Sequence, residues 1–253
     1  MAQNIYDDPA FLEKYWKLEE AHRYEPQGTP DLTQLDTLLP PLTGSHVLDL
    51  GCGDGWFVRW AMSHGASSAQ GLDRAQAMIA RARESMPSDD NPAVRFSVAN
   101  LNAPQGMFGA AARYDLVFSA LAIHYLTDLP ALFAEVQAVL RPGGTFVFSV
   151  EHPMHTAPQN PGMMRDGEGR AFWPVTDYLA EGERVTNWLM EGVVKQHYTI
   201  STYARLLLEA GFEITRMEEW CEKEVGEYEG VEWYIPGEVM PAFLLIGAKK
   251  KGV

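Results

Sequence analysis

Three glycines at alternate positions follow an acid-bearing apolar run in Val47-Leu48-Asp49-Leu50-Gly51-Cys52-Gly53-Asp54-Gly55, and these residues are well suited to hold a ligand. The branched run reads as a buried parallel strand, and the chain from Trp56 to Ala61 as the opening of a helix. The turn between them must lay bare backbone against a ligand, because Cβ atoms would block the approach. A second short run ends in Asp73, where a carboxylate can accept both hydroxyls of a ribose. The glycine spacing is G-x-G-x-G, not the G-x-G-x-x-G of dinucleotide sites. Two histidines follow later apolar runs, His124 after the run that opens at Tyr114 and His152 just beyond Val150. Histidine suits a general base near neutrality, so both are candidate catalytic residues. His124 reads equally as a residue that orients its loop, and His152, ahead of a proline, as a turn residue. His152 and His155 lack acids or cysteines at ligand spacing, so no metal is expected. Cys52 suits its turn by small volume rather than by its thiol.

The elements that must position these groups alternate. Strands are expected at 46–50, 69–73, 94–98, from 114, at 145–150, at 212–217 and at 241–248. Helices are expected from 56, at 75–84, 129–140 and 199–210, the last closed by Gly211. Such alternation implies a parallel sheet with helices on both faces. Residues 1–40 carry Phe11, Leu12, Tyr15 and Trp16 on a helical stretch. Residues 151–198 form a gap too long for a plain loop and carry Trp173, Tyr178, Trp188 and Tyr198. Both segments are expected to cover the carboxyl ends of the strands as an N-terminal cap and a substrate lid on one 1–253 domain.

Taken in order, these motifs resemble the class I S-adenosylmethionine (SAM)-dependent methyltransferases. The first motif of that family is an acid followed by G-x-G-x-G. Its fourth strand ends in Ser-x-x-x-x-His, as in Ser119 to His124, and a Pro-Gly-Gly turn like Pro142-Gly143-Gly144 leads into its fifth strand. The likeness covers residues 46–150. The wording of the insert, Glu151-His152-Pro153, Trp173-Pro174 and Gly192 to His197, extends it to a bacterial subgroup without a settled substrate. The resemblance implies a Rossmann-like seven-stranded sheet of order 3-2-1-4-5-7-6 with its last strand antiparallel. It also implies SAM as cofactor and S-adenosylhomocysteine as product.

On that reading the backbone of Gly51, Cys52 and Gly53 passes along the methionyl part of SAM, and Asp49 reaches its amino group. Asp73, with Arg74 beside it, holds the ribose, while Met78 and Leu101 pack on the adenine. Asn100 stands where relatives usually carry Asp and reads the adenine edge through its amide oxygen. Ser119, Ala120 and Leu121 run beneath the sulfonium, and Tyr6 or Tyr15 closes over the cofactor. Trp173, Tyr178, Trp188 and His197 are the expected acceptor contacts, their broad faces suiting an aromatic or heterocyclic small molecule. The methyl passes by in-line displacement to an O, N or C nucleophile held at ~3 Å.

The formal net charge of −14 argues against nucleic acid. Seven glutamates between Glu218 and Glu232 read as a solvated loop. No apolar run suggests a membrane span. The amino terminus lacks the pattern of a secretory signal, and Cys52 and Cys221 are too few for a disulfide framework, so a cytoplasmic setting is expected. Oligomeric state is not legible. Two competing readings are a SAM-binding protein of the same fold without catalysis and a nicotinamide-dependent oxidoreductase. The intact turn and Asp73 count against the first, and the glycine spacing against the second.

Overall fold

In the computed structural model the described residues are 3–22, 35–86, 92–104, 106, 108–109, 111–159, 162–220 and 240–252, without the side chains of 18–22 and 171. The glutamate-rich stretch beyond Trp220, Cys221 and most of the connection after the N-terminal helix lie outside them.

The central sheet is made of β1 (His46–Leu50), β2 (Ser68–Asp73), β3 (Val94–Val98), β4 (Tyr114–Ala120), β5 (Leu140–Glu151), β6 (Phe212–Trp220) and β7 (Phe243–Lys250), counting only its own strands. Their order is β3-β2-β1-β4-β5-β7-β6. The first five strands run parallel, and β7 is antiparallel to both β5 and β6. This is the order the resemblance implied.

The helices are α1 (Pro9–His22), α2 (Trp56–Ser63), α3 (Gln76–Ser85), α4 (Leu129–Val139), α5 (Pro153–Thr156) and α6 (Ile200–Glu209). Val47, Leu48 and Leu50 of β1 are all fully buried, as a strand covered on both faces requires. One core joins Leu48, Leu50 and Phe148 to Phe133 of α4 and Leu207 of α6. The other joins Val47, Phe118 and Val147 to Phe57 and Val58 of α2, with the Phe57 and Phe118 rings stacked 3.5 Å apart. Thr199 caps α6, its hydroxyl accepting from the Thr202 N–H.

The start of β5 differs most from the sequence reading, falling at Leu140 rather than Thr145. Tyr114 pairs with Leu140 and Leu116 with Thr145, so the Arg-Pro-Gly-Gly segment bulges out of a strand that has already begun. Arg141 holds that bulge by two hydrogen bonds to the Asp115 carboxylate, at 2.8 and 2.9 Å.

Residues 151–198 fold as α5 followed by two short paired segments and a hairpin, Gly182–Trp188 against Met190–His197. Arg184, 3% exposed, binds the loop behind the hairpin by donating to the carbonyls of Ala157 (2.9 Å) and Ala180 (2.6 Å). The amino-terminal segment ties this hairpin to α3. Gln3 donates to the Gly192 carbonyl and accepts from the Val194 N–H, both at 2.9 Å. Asp7 accepts the Ala77 N–H at 3.0 Å in the first turn of α3, where its charge is favourable. Lys14 donates to the Leu189 carbonyl at the hairpin tip.

Candidate cofactor and acceptor site

The glycine turn leaves β1 with Gly51 at φ +75° and Gly53 at φ +53°. A Cβ on Gly51 would stand 2.2 Å from the Ala122 Cβ, so the turn is pressed against the segment that leaves β4. Among the described residues beyond its chain neighbours, a Cβ on Gly53 would meet no atom within 4 Å. The turn thus offers bare backbone to open space at Gly53, as a ligand cradle requires. The Gly51 and Cys52 N–H groups donate to the Leu72 carbonyl at 2.7 and 3.0 Å. Asp73 accepts from Gly53 N–H at 2.9 Å with one oxygen and from Ala75 N–H at 2.8 Å with the other. It therefore braces both the turn and the start of α3. Each of its oxygens keeps a lone pair for a hydroxyl.

Asp49 is 2% exposed, and its carboxylate makes no hydrogen bond among the described residues. Burial, then the charges of Asp73 and Asp54, push its pKa well above the usual carboxylate range. Burial makes the ionised form of this acid costly, and a cation placed against it would offset that cost. The folded state raises this pKa, so Asp49's contribution to ligand-free stability is fully present below its unfolded pKa. It is lost as pH rises through the folded value. Asp49→Asn should therefore raise the Tm of the ligand-free protein at pH 7 by a few degrees, for about 1–3 kcal/mol, with the gain vanishing in acid. The same variant should bind S-adenosylhomocysteine at least about tenfold more weakly. Scanning calorimetry and titration calorimetry on one preparation check both signs.

Around the turn, Met78 and Leu101 are buried, Arg74 donates to the Gln3 carbonyl at 3.4 Å, and Asn100 is exposed with its amide oxygen accepting from Asn102 N–H at 3.2 Å. Cys52 is buried, and burial followed by the charges of Asp49, Asp73 and Asp54 pushes its thiol well up, away from nucleophilic use. The Ser119 hydroxyl donates to the Leu50 carbonyl at 2.7 Å, tying β4 to β1. Ala120 is half-buried, and Leu121 adopts φ +49°, its N–H held by the Ser149 carbonyl at 3.0 Å.

The expected acceptor residues separate into two groups. His152 caps α5, its Nδ1 accepting from Met154 N–H at 3.1 Å and its Nε2 lying 2.9 Å from the Glu219 carboxylate. His197 accepts from the Thr156 hydroxyl through Nδ1 and donates to the Tyr178 carbonyl through Nε2, both at 2.8 Å. Both rings have their nitrogens engaged and fasten the insert. Trp173 donates to the Met154 carbonyl at 3.1 Å and stacks on His155, while Tyr178 lies edge-on to His197. These residues build the insert.

Trp188 instead joins Tyr6 and Tyr15. Tyr6 has the rings of Phe11, Tyr15, Tyr125 and Trp188 around it at centroid distances of 5.0 to 6.4 Å. Beside this cluster lies His124, 2% exposed, with a buried Nδ1 that has no hydrogen-bond partner among the described residues. Burial pushes its pKa down to about 4, so the ring is neutral at pH 7.

Two residues that sequence reading did not single out complete the region. Lys195, 3% exposed, forms an ion pair with Glu151 at the end of β5 and lies 5.0 Å from the Trp188 ring centroid. His155 Nδ1 stands 3.7 Å from the other Glu151 oxygen. Burial alone would push the Glu151 carboxyl up, but Lys195, then His155, hold it well below its ordinary value. A signal existed: Val193, Lys195 and His197 alternate onto one face of their strand, which asks a charged side chain to be buried. Among the described residues no three His, Cys, Asp or Glu gather as a metal site, and no helix is long and apolar enough to cross a membrane.

Residues 47–144 match a family model described as a methyltransferase domain. A crystal structure of an S-adenosylmethionine dependent methyltransferase from Mesorhizobium loti is 38% identical. It covers 89% of this chain and 100% of its own, with a TM-score of 0.78. An uncharacterised Haemophilus influenzae protein is 29% identical over 221 residues, 85% of each chain. The trans-aconitate 2-methyltransferase of Deinococcus radiodurans is 29% identical over 145 residues, 55% of this chain and 52% of that one. The chain belongs to the SAM-dependent methyltransferases. It is a methyltransferase with SAM as its cofactor, and the open cradle at Gly53 and the unpartnered acid of Asp49 fit that group.

Proposed function

We propose that this methyltransferase acts on a small, flat molecule, aromatic or heterocyclic by preference, held beneath the amino-terminal segment and the hairpin. The observation that carries this reading is the cluster of Tyr6, Tyr15, Tyr125 and Trp188, assembled from the cap, the end of β4 and the insert. Rings of this kind offer broad apolar faces with polar tips, which suits a planar acceptor. Residues 1–40 then act as the cap and 151–198 as the lid. The Deinococcus relative, named for a small molecule, supports the same substrate scale.

Bound SAM supplies a methyl group already activated on a cationic sulfonium. The residues of this chain have to hold, orient and exclude water. Asp49 takes the amino group, Asp73 the ribose, and Gly51 to Gly53 the methionyl chain. Met78 and Leu101 flank the adenine, and Asn100 reads its edge. His124, neutral and with a free Nδ1, is the group that faces the acceptor. His152 holds the start of α5 in place.

The test is transfer of labelled methyl from SAM to a panel of phenols, heterocyclic amines and arenecarboxylates, beside tRNA and protein. Label is expected in the small-molecule fraction, and Tyr6→Ala should raise KM for that acceptor about tenfold by removing the central ring. Label confined to macromolecules would refute the reading.

A further inference from the structure

Resting on that small-molecule reading, we infer that the acceptor is a carboxylate, one oxygen of which lies against the Lys195 ammonium and the His124 ring. An ammonium has three donors. Lys195 gives one to Glu151 and makes no other hydrogen bond among the described residues, although it is almost wholly buried. The ring faces of Trp188 at 5.0 Å and Tyr125 at 6.0 Å border it, so an anion placed there is shielded from water by aromatic walls. Glu151 fixes the ammonium from the sheet side. Among the described residues His124 supplies a second unpartnered polar atom in the same region, its ring centroid 4.5 Å from that of Tyr125, the ring that Lys195 also borders. In the tautomer carrying hydrogen on Nδ1, it donates to the same oxyanion.

The chemistry agrees. A carboxylate oxygen forms the new O–CH3 bond with its own lone pair while the C–S bond breaks onto sulfur, so no proton remains to be removed. A neutral phenol or protonated amine would instead leave one, and that asks for a base poised near neutral pH. The deep groups here are not poised so: His124 is pushed far down by burial, Glu151 is held ionised by Lys195, and burial drives the Tyr125 hydroxyl well up.

The experiment is titration calorimetry of benzoate, phenol and benzylamine into the protein saturated with S-adenosylhomocysteine. Wild type, Lys195→Met, Lys195→Arg and Glu151→Gln are compared. Benzoate is expected to bind best, to lose at least tenfold in Lys195→Met, and to be retained in Lys195→Arg and Glu151→Gln. Undiminished S-adenosylhomocysteine binding in Lys195→Met certifies its fold. Benzoate binding that ignores Lys195→Met, or preference for benzylamine, overturns the inference. Phenol binding without benzoate binding also overturns it while leaving the aromatic site standing. Binding of none of the three overturns both.

Discussion

Asp73→Ala is expected to weaken S-adenosylhomocysteine binding by about 100-fold or more. On the proposed reading the carboxylate accepts two ribose hydroxyls, and hydrogen bonds to a charged group contribute about 1.5–3 kcal/mol each. The same oxygens already brace Gly53 and Ala75, so the alanine also frees the N–H that shapes the turn. Asp73→Asn separates these parts. Its amide oxygen still accepts one backbone N–H, but its NH2 group cannot accept the other. An intermediate loss, of the order of tenfold, is therefore expected by titration calorimetry. Equal binding by wild type and Asp73→Ala would remove Asp73 from the ribose.

The second large effect lies one element earlier. Gly51→Ala drives a methyl group to within 2.2 Å of the Ala122 Cβ at a backbone position with φ +75°. The left-handed conformation and the overpacking together should cost about 3 kcal/mol, lowering Tm by roughly 10 °C in a chain of this size. Gly53→Ala makes the informative contrast. Its Cβ meets no other described residue within 4 Å beyond its chain neighbours, so the cost to the fold is that of the left-handed conformation, about 1–2 kcal/mol. The added methyl instead fills the cradle, and cofactor binding should fall sharply while Tm drops by roughly half as much as in Gly51→Ala. Thermal melts with and without S-adenosylhomocysteine separate the two variants. Similar melting losses in both would show that Gly53 faces protein rather than ligand.

Much of this architecture was legible in the chain because its signals are local. The run Val47 to Leu50 is buried on both faces, and such a strand announces itself without knowledge of its neighbours. Asp49, Gly51 and Asp73 stand where a strand meets a turn, so the roles proposed for them rest on place in the chain. The acceptor half was less legible, because its residues meet only through tertiary packing. Trp188, Tyr6 and Tyr15 come from distant segments, and nothing in the spacing of His152 or His197 tells that Met154, Glu219, Thr156 and Tyr178 engage their nitrogens. The bond of the Ser119 hydroxyl to the Leu50 carbonyl on the adjacent strand is likewise hidden from the sequence, because it depends on how β4 pairs with β1. Lys195 and Glu151 are 44 positions apart. Their pairing depends on how the hairpin folds over β5, which residue alternation hints at but does not specify.

Together, Asp49, the glycine turn and Asp73 should form one SAM site. It is tested most directly by titrating S-adenosylhomocysteine and, separately, NAD into the wild-type protein in titration calorimetry. Micromolar, one-to-one binding of S-adenosylhomocysteine with none of NAD is the predicted result. A folded protein that binds NAD, or that binds neither, would contradict the account.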